Sequence, residues 1–138
     1  MSGAILEFSY QGSIERRKFL RLAKKYSLRH SRYVPINFDD EVIESTTLNI
    51  SAGGLLFAST EKYDLSELLR LEIEIPDWQK FIPGGFAEKG LPPGGPFAAK
   101  GIVTRTEYFA VNHYHIAVSF VGLDRQELWA LMFAINKE

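Results

Sequence analysis

The tightest constraint on the fold is a run of strict alternation, Leu69-Arg70-Leu71-Glu72-Ile73-Glu74-Ile75. Successive side chains of an extended strand point to opposite faces, so this run sets four aliphatic groups against three charged ones and requires a strand with one buried and one wet face. Ile43 to Ile50, β-branched and threonine-rich, predicts another strand, and Leu55 to Ala58 resumes an apolar one after Gly53-Gly54. That glycine pair predicts a tight turn or bulge, because glycine tolerates positive φ and lets a ligand approach the backbone. Lys100 to Glu107 and Tyr114 to Val121 are two more β-rich stretches, and the short interval Tyr108 to Asn112 suits an antiparallel hairpin. Asp124 with Glu127 three positions on forms a capping box, followed at helical spacing by Leu128, Leu131, Met132 and Ile135. A terminal helix should lay that stripe on the sheet.

About six short strands and one late helix predict an all-β domain. Closure into a small barrel would remove exposed edges, although composition and periodicity alone do not separate a barrel from a sandwich. The 138 residues suffice for one domain. Residues 1–15 show no sustained period and predict a weakly ordered lead-in with room for a short strand. Ala23 to Tyr33 is basic and aromatic, and Val34 to Asp40 reads as an extended stretch turning at its acids. Residues 82–97, rich in glycine and proline, read as an insertion between strands. It is either a plain surface excursion or a lid or docking loop held by Trp78, Phe81, Phe86 and Phe97. The absence of cysteine excludes disulfides, thiolate zinc sites and thiol nucleophiles, and fits a reducing compartment. The amino terminus lacks the features of a secretory signal, and no apolar run approaches the roughly 18 residues of a membrane span. The expectation is a soluble cytoplasmic protein without membrane insertion.

A net charge of −1 gives no long-range attraction to nucleic acid polymers, but the basic residues are unevenly placed. Arg16, Arg17, Lys18, Arg21, Lys24, Lys25, Arg29 and Arg32 make half of the 16 lysines and arginines and have no acid among them. Asp39, Asp40, Glu41 and Glu44 follow, most simply as a solvated acidic face. Further on, Leu48-Asn-Ile-Ser-Ala-Gly-Gly-Leu55 offers amide, hydroxyl and backbone N–H groups at close range in a polar turn. Arginine forks bind phosphate bidentately, grip a guanine edge or stack on its face. Turn and arginines together point to a guanine nucleotide.

The spacing Arg17-x-x-x-Arg21 followed by Asn49-x-Ser51-x-x-Gly54 resembles the signature of the PilZ domain, a bacterial receptor for the second messenger cyclic di-GMP. Tyr114 to Phe120, then Val-Gly-Leu-Asp and an amphipathic tail, looks like that family's last strand and closing helix. The departure is the Gly/Pro-rich insertion. The resemblance implies a six-stranded antiparallel PilZ-type β-barrel with a C-terminal α-helix, spanning residues 16–138. It implies that Arg17 and Arg21, on a segment preceding the barrel, close over the messenger. Asn49 offers its amide, Ser51 its hydroxyl, and Gly54 keeps a side chain out of the space of a base. Arg16 then favours a stacked, self-intercalated pair of ligands over a single one. It also implies a non-enzymatic effector, monomer or homodimer, that changes conformation on binding and signals to an unspecified protein partner in motility, exopolysaccharide or surface-attachment control. The alternative is a PilZ-like adaptor that holds a protein without nucleotide, and a third reading is an RNA-binding barrel or a small enzyme. No Ser/His/Asp set is visible, so no catalytic residues, cofactor or metal are expected. His113 and His115 share a strand face but lack a third ligand.

Overall fold

The computed structural model describes residues 22–34, 41–82 and 95–137. Six antiparallel strands close into a barrel: β1 (Ser27–Arg32), β2 (Ile43–Ser51), β3 (Gly54–Ser59), β4 (Leu68–Ile73), β5 (Phe97–Ala110) and β6 (His113–Val121). Their order around the barrel is β1-β2-β3-β6-β5-β4, so the sheet expected from alternation closes as a barrel rather than splitting into a sandwich. The alternating run behaves as its chemistry requires. Leu69, Leu71 and Ile73 are at most 1% exposed, while Arg70 faces solvent. Leu28, Phe57, Phe97, Val103, Ile116 and Val118 complete the interior from the other strands. Burying such side chains stabilises by roughly 1.5–3 kcal/mol each relative to exposure.

Helix α1 (Arg125–Lys137) and a short 3-10 helix (Trp78–Phe81) pack against each other beside the barrel. The capping box forms as expected: the Glu127 amide donates to Asp124 Oδ1 at 2.7 Å, and the Asp124 amide to Glu127 Oε1 at 3.1 Å. Ala130, Leu131, Ala134 and Ile135 are buried by α1, with Leu128 and Met132 at the core's margin. The Trp78 indole meets Phe97 edge-on at 5.0 Å and donates from Nε1 to the Gly95 carbonyl at 2.9 Å, so it ties down the C-terminal end of the Gly/Pro-rich stretch. No helix among the described residues is long and apolar enough to cross a membrane.

Three local expectations change. The β5–β6 hairpin turns on Val111-Asn112 alone, because Asn112 adopts φ 57°, a conformation asparagine tolerates, and the strands run on through Tyr108 and Ala110. Ser27–Arg32 is a full strand although its composition reads as basic and aromatic, since one inward position is filled by a histidine. Neither Gly53 nor Gly54 is at positive φ, so the glycine pair answers a different need, described below. The lead-in over 1–15, the stretch 35–40 and residues 83–94, Phe86 included, lie outside the described residues.

Candidate functional site

The polar turn joins β2 to β3, with Ser51 paired to Gly54 across Ala52-Gly53. A β-bulge between Thr47 and Asn49 sets the aim of its side chains. Thr47 and Ile50 are both fully buried although three positions apart, whereas unbroken alternation would send Asn49 inward after Thr47. The extra residue turns Asn49 off the core, one of the ways bulges re-aim side chains next to functional sites. Asn49 Oδ1 is nevertheless shielded from solvent and has no hydrogen-bond partner among the described residues. An unsatisfied buried acceptor costs about 1–3 kcal/mol, so a donor brought to it recovers that energy.

Ser51 is only 3% exposed, and its Oγ accepts the Gly53 amide at 3.0 Å. The hydroxyl therefore shapes the turn before it can serve any ligand. The Phe120 amide donates to the Gly53 carbonyl at 2.9 Å and holds the turn against β6. Gly54 is required by that approach. A Cβ there would sit 2.1 Å from the Val118 carbonyl oxygen, so the close pass of β6 alone requires a glycine.

The arginine half of the pattern, Arg16, Arg17 and Arg21, lies outside the described residues, but the residue that follows it does not. Leu22 forms an isolated antiparallel bridge with Ile50: its amide donates to the Ile50 carbonyl at 2.8 Å, and the Ile50 amide donates back at 2.9 Å. Ile50 stands between Asn49 and Ser51. The chain emerging from Arg21 is thus fastened to the middle of the second motif, joining in space what 27 intervening residues would otherwise separate.

A residue that the sequence reading passed over secures this junction. Thr47 is fully buried. Its Oγ1 accepts the Tyr26 amide at 2.8 Å and donates to the Lys24 carbonyl at 2.7 Å, and its own amide donates to the Tyr26 carbonyl at 2.9 Å. The signal available was weak: one threonine in a threonine-rich strand, on the inward side of the alternation.

The histidines separate into two kinds. His30 lies inside the barrel, 1% exposed, with Nδ1 2.8 Å from the Tyr63 hydroxyl and its ring tilted on Phe57 at 4.6 Å. Burial lowers its pKa to about 4. His113 and His115 stand near the hairpin tip, with Phe109 against His115 at 3.9 Å. No group of three potential metal ligands occurs among the described residues.

The sequence matches the model of the PilZ domain over residues 15–134. Among solved structures, the Bacillus subtilis inhibitor of motility MotI/DgrA aligns with a TM-score of 0.64 and 18% identity, over 90% of this chain and 52% of that one. YcgR of Escherichia coli in complex with cyclic di-GMP gives 0.62 and 12%, over 90% of this chain and 46% of that one. The isolated PilZ domain of YcgR with cyclic di-GMP gives 0.56 and 13%, over 89% and 93%. This chain therefore spans about half the length of MotI and of full YcgR, and the likeness to them is one of fold. A comparison with curated proteins finds no match.

Proposed function

Because the chain belongs to the PilZ domain family, we propose that it is a receptor for cyclic di-GMP and that the nucleotide binds where the Arg16–Arg21 segment meets the β2–β3 turn. The observation that carries this reading is the Leu22–Ile50 bridge, which anchors the arginine segment between Asn49 and Ser51. Similar structures, YcgR and the PilZ domain of YcgR, are complexes with this nucleotide. In the proposed complex Arg17 and Arg21 take phosphate oxygens and guanine edges, and Asn49 Oδ1 accepts from a guanine N–H or a guanidinium. Ser51 and Gly54 act by holding the turn in shape against β6. Arg16 favours two stacked ligand molecules per chain. Ordering the arginine segment over the ligand is the conformational readout, at an entropy cost that keeps affinity moderate. A micromolar complex needs about 8 kcal/mol net, of which two bidentate arginines and a satisfied amide supply a part.

The adaptor reading rests on a different observation. The β5–β6 hairpin exposes Tyr108, Phe109 and Val111 by 57–78%, aromatic and aliphatic surface of the kind protein contacts use. In the receptor reading the same hairpin is an output surface. Calorimetry with cyclic di-GMP on the parent, Arg17→Ala, Arg21→Ala and Ser51→Ala separates the two. The receptor reading expects heat for the parent, near-complete loss for either arginine change and unchanged circular dichroism. Parental affinity in the double arginine variant would remove the site assignment, and a silent parent leaves the adaptor.

A further inference from the structure

Arg70 on β4 and Lys100 on β5 stand directly opposite each other. Like charges at such a cross-strand position destabilise a sheet. The guanidinium of Arg70 lies 4.3 Å from the centroid of the Tyr33 ring and the Lys100 ammonium 5.6 Å from it, so one aromatic ring serves both cations. Neither forms an ion pair among the described residues. Of the carboxylates lining the same groove, Glu72 is gripped by Arg29, with Nη2 to Oε1 at 2.7 Å, while Glu127 keeps its charge at the groove's edge and accepts the Asp124 amide in the cap of α1. Arg32 shows the contrast, with Glu61 and Glu67 both at 2.8 Å.

The two cations line a groove of about 400 Å³, within the range of small-molecule sites. Ser31 and Ala98 border it on the strands, and Val42 and Leu123 supply apolar walls. Gly122, at φ 76°, leaves the Lys100 ammonium uncovered, since a Cβ there would lie 3.9 Å from Nζ. Neither Asn49 nor Ser51 lines the groove, although Val121 and Gly122 in its wall directly follow Phe120, whose amide holds the β2–β3 turn.

We propose that the Tyr33–Arg70–Lys100 groove is a second ligand site, which binds the phosphate of a small phosphorylated molecule. A planar fork and a point charge converging from two strands suit a tetrahedral dianion, which would also relieve the Arg70–Lys100 repulsion. Stacking on Tyr33 holds the fork ready, reducing the ordering cost of binding. The apolar walls accept the organic part of an ester.

The test is an amide NMR titration of the full chain with phenyl phosphate and, separately, inorganic phosphate, at low salt and millimolar concentrations. Saturable shifts are expected around Tyr33, Arg70, Lys100 and Gly122, with affinity falling about tenfold or more in Arg70→Gln and in Lys100→Gln. Tighter binding of phenyl phosphate identifies an ester as the ligand, and equal binding identifies free phosphate. Lys100→Gln is also expected to raise the unfolding temperature without anion, by removing the like-charge pair. No saturable shifts, or shifts that persist in both variants, would overturn the proposal. Cyclic di-GMP binding lost in these variants would assign the groove to the messenger's site instead. Parental binding of cyclic di-GMP in variants that have lost the phosphate shifts supports two separate sites, and phosphate shifts in a parent silent to cyclic di-GMP support the groove while removing the receptor reading.

Discussion

Acidification should weaken this barrel through His30. The imidazole lies in the core against Phe57 and Tyr63, and Nε2 has no hydrogen-bond partner among the described residues, so protonating the ring would put a charge without a counter-ion into an apolar interior. Burial lowers the pKa from 6.5 to about 4. A depressed histidine pKa means that the unfolded chain binds the proton more tightly. The stabilisation is whole above pH 6.5, declines as pH falls through the window down to about 4, and is absent below it. The full span amounts to about 3 kcal/mol, and the part lost between about pH 7.5 and about pH 5 to about 2 kcal/mol. Urea denaturation of the parent and of His30→Gln at both pH values isolates this contribution, because every other titrating group is common to the pair. The parent should lose about 2 kcal/mol more than the variant. Equal losses in the two proteins would refute the reasoning.

Thr47→Val removes a buried hydroxyl that holds the Lys24–Tyr26 backbone to β2 and should cost about 1–2 kcal/mol in chemical denaturation. If that staple presents the arginine segment, calorimetry should also show severalfold weaker cyclic di-GMP binding. Gly54→Ala drives a methyl group into the Val118 carbonyl and should destabilise by about 3 kcal/mol or more, seen as a lowered melting temperature. Asp124→Ala opens the capping box and should cost about 1 kcal/mol, with partial loss of helical circular dichroism at 222 nm.

The legible parts of the fold were those where one local pattern carried the answer. Leu69 to Ile75 declared a strand by period, and Asp124 and Glu127 declared a helix start by reciprocal hydrogen bonding, because both signals are complete within a few residues. Strand β1 was hidden because one of its inward positions is His30, a polar residue that becomes a core residue only once Tyr63 and Phe57 surround it. The reason for Gly54 was equally out of reach, since it depends on how closely β6 passes. Of the candidate site, Asn49 and Ser51 were found by residue type, but the bulge that aims Asn49 depends on how β2 pairs with β3, and the Thr47 staple on partners 21 and 23 residues away. The groove at Arg70 and Lys100 draws on five separated stretches of chain and left no motif to read.

The bridge between Leu22 and Ile50 sets the length of a leash. Arg17 is five residues from that knot and Arg21 is adjacent to it, so even a fully stretched backbone keeps the farther arginine's Cα within about 17 Å of Leu22. In the proposed receptor, a tether this short keeps guanidinium near the turn at a local concentration that free arginine could not match. It also gives insertions a graded effect: residues added between Arg21 and Leu22 should slacken the leash and erode affinity with length, while the barrel beyond the knot stays folded.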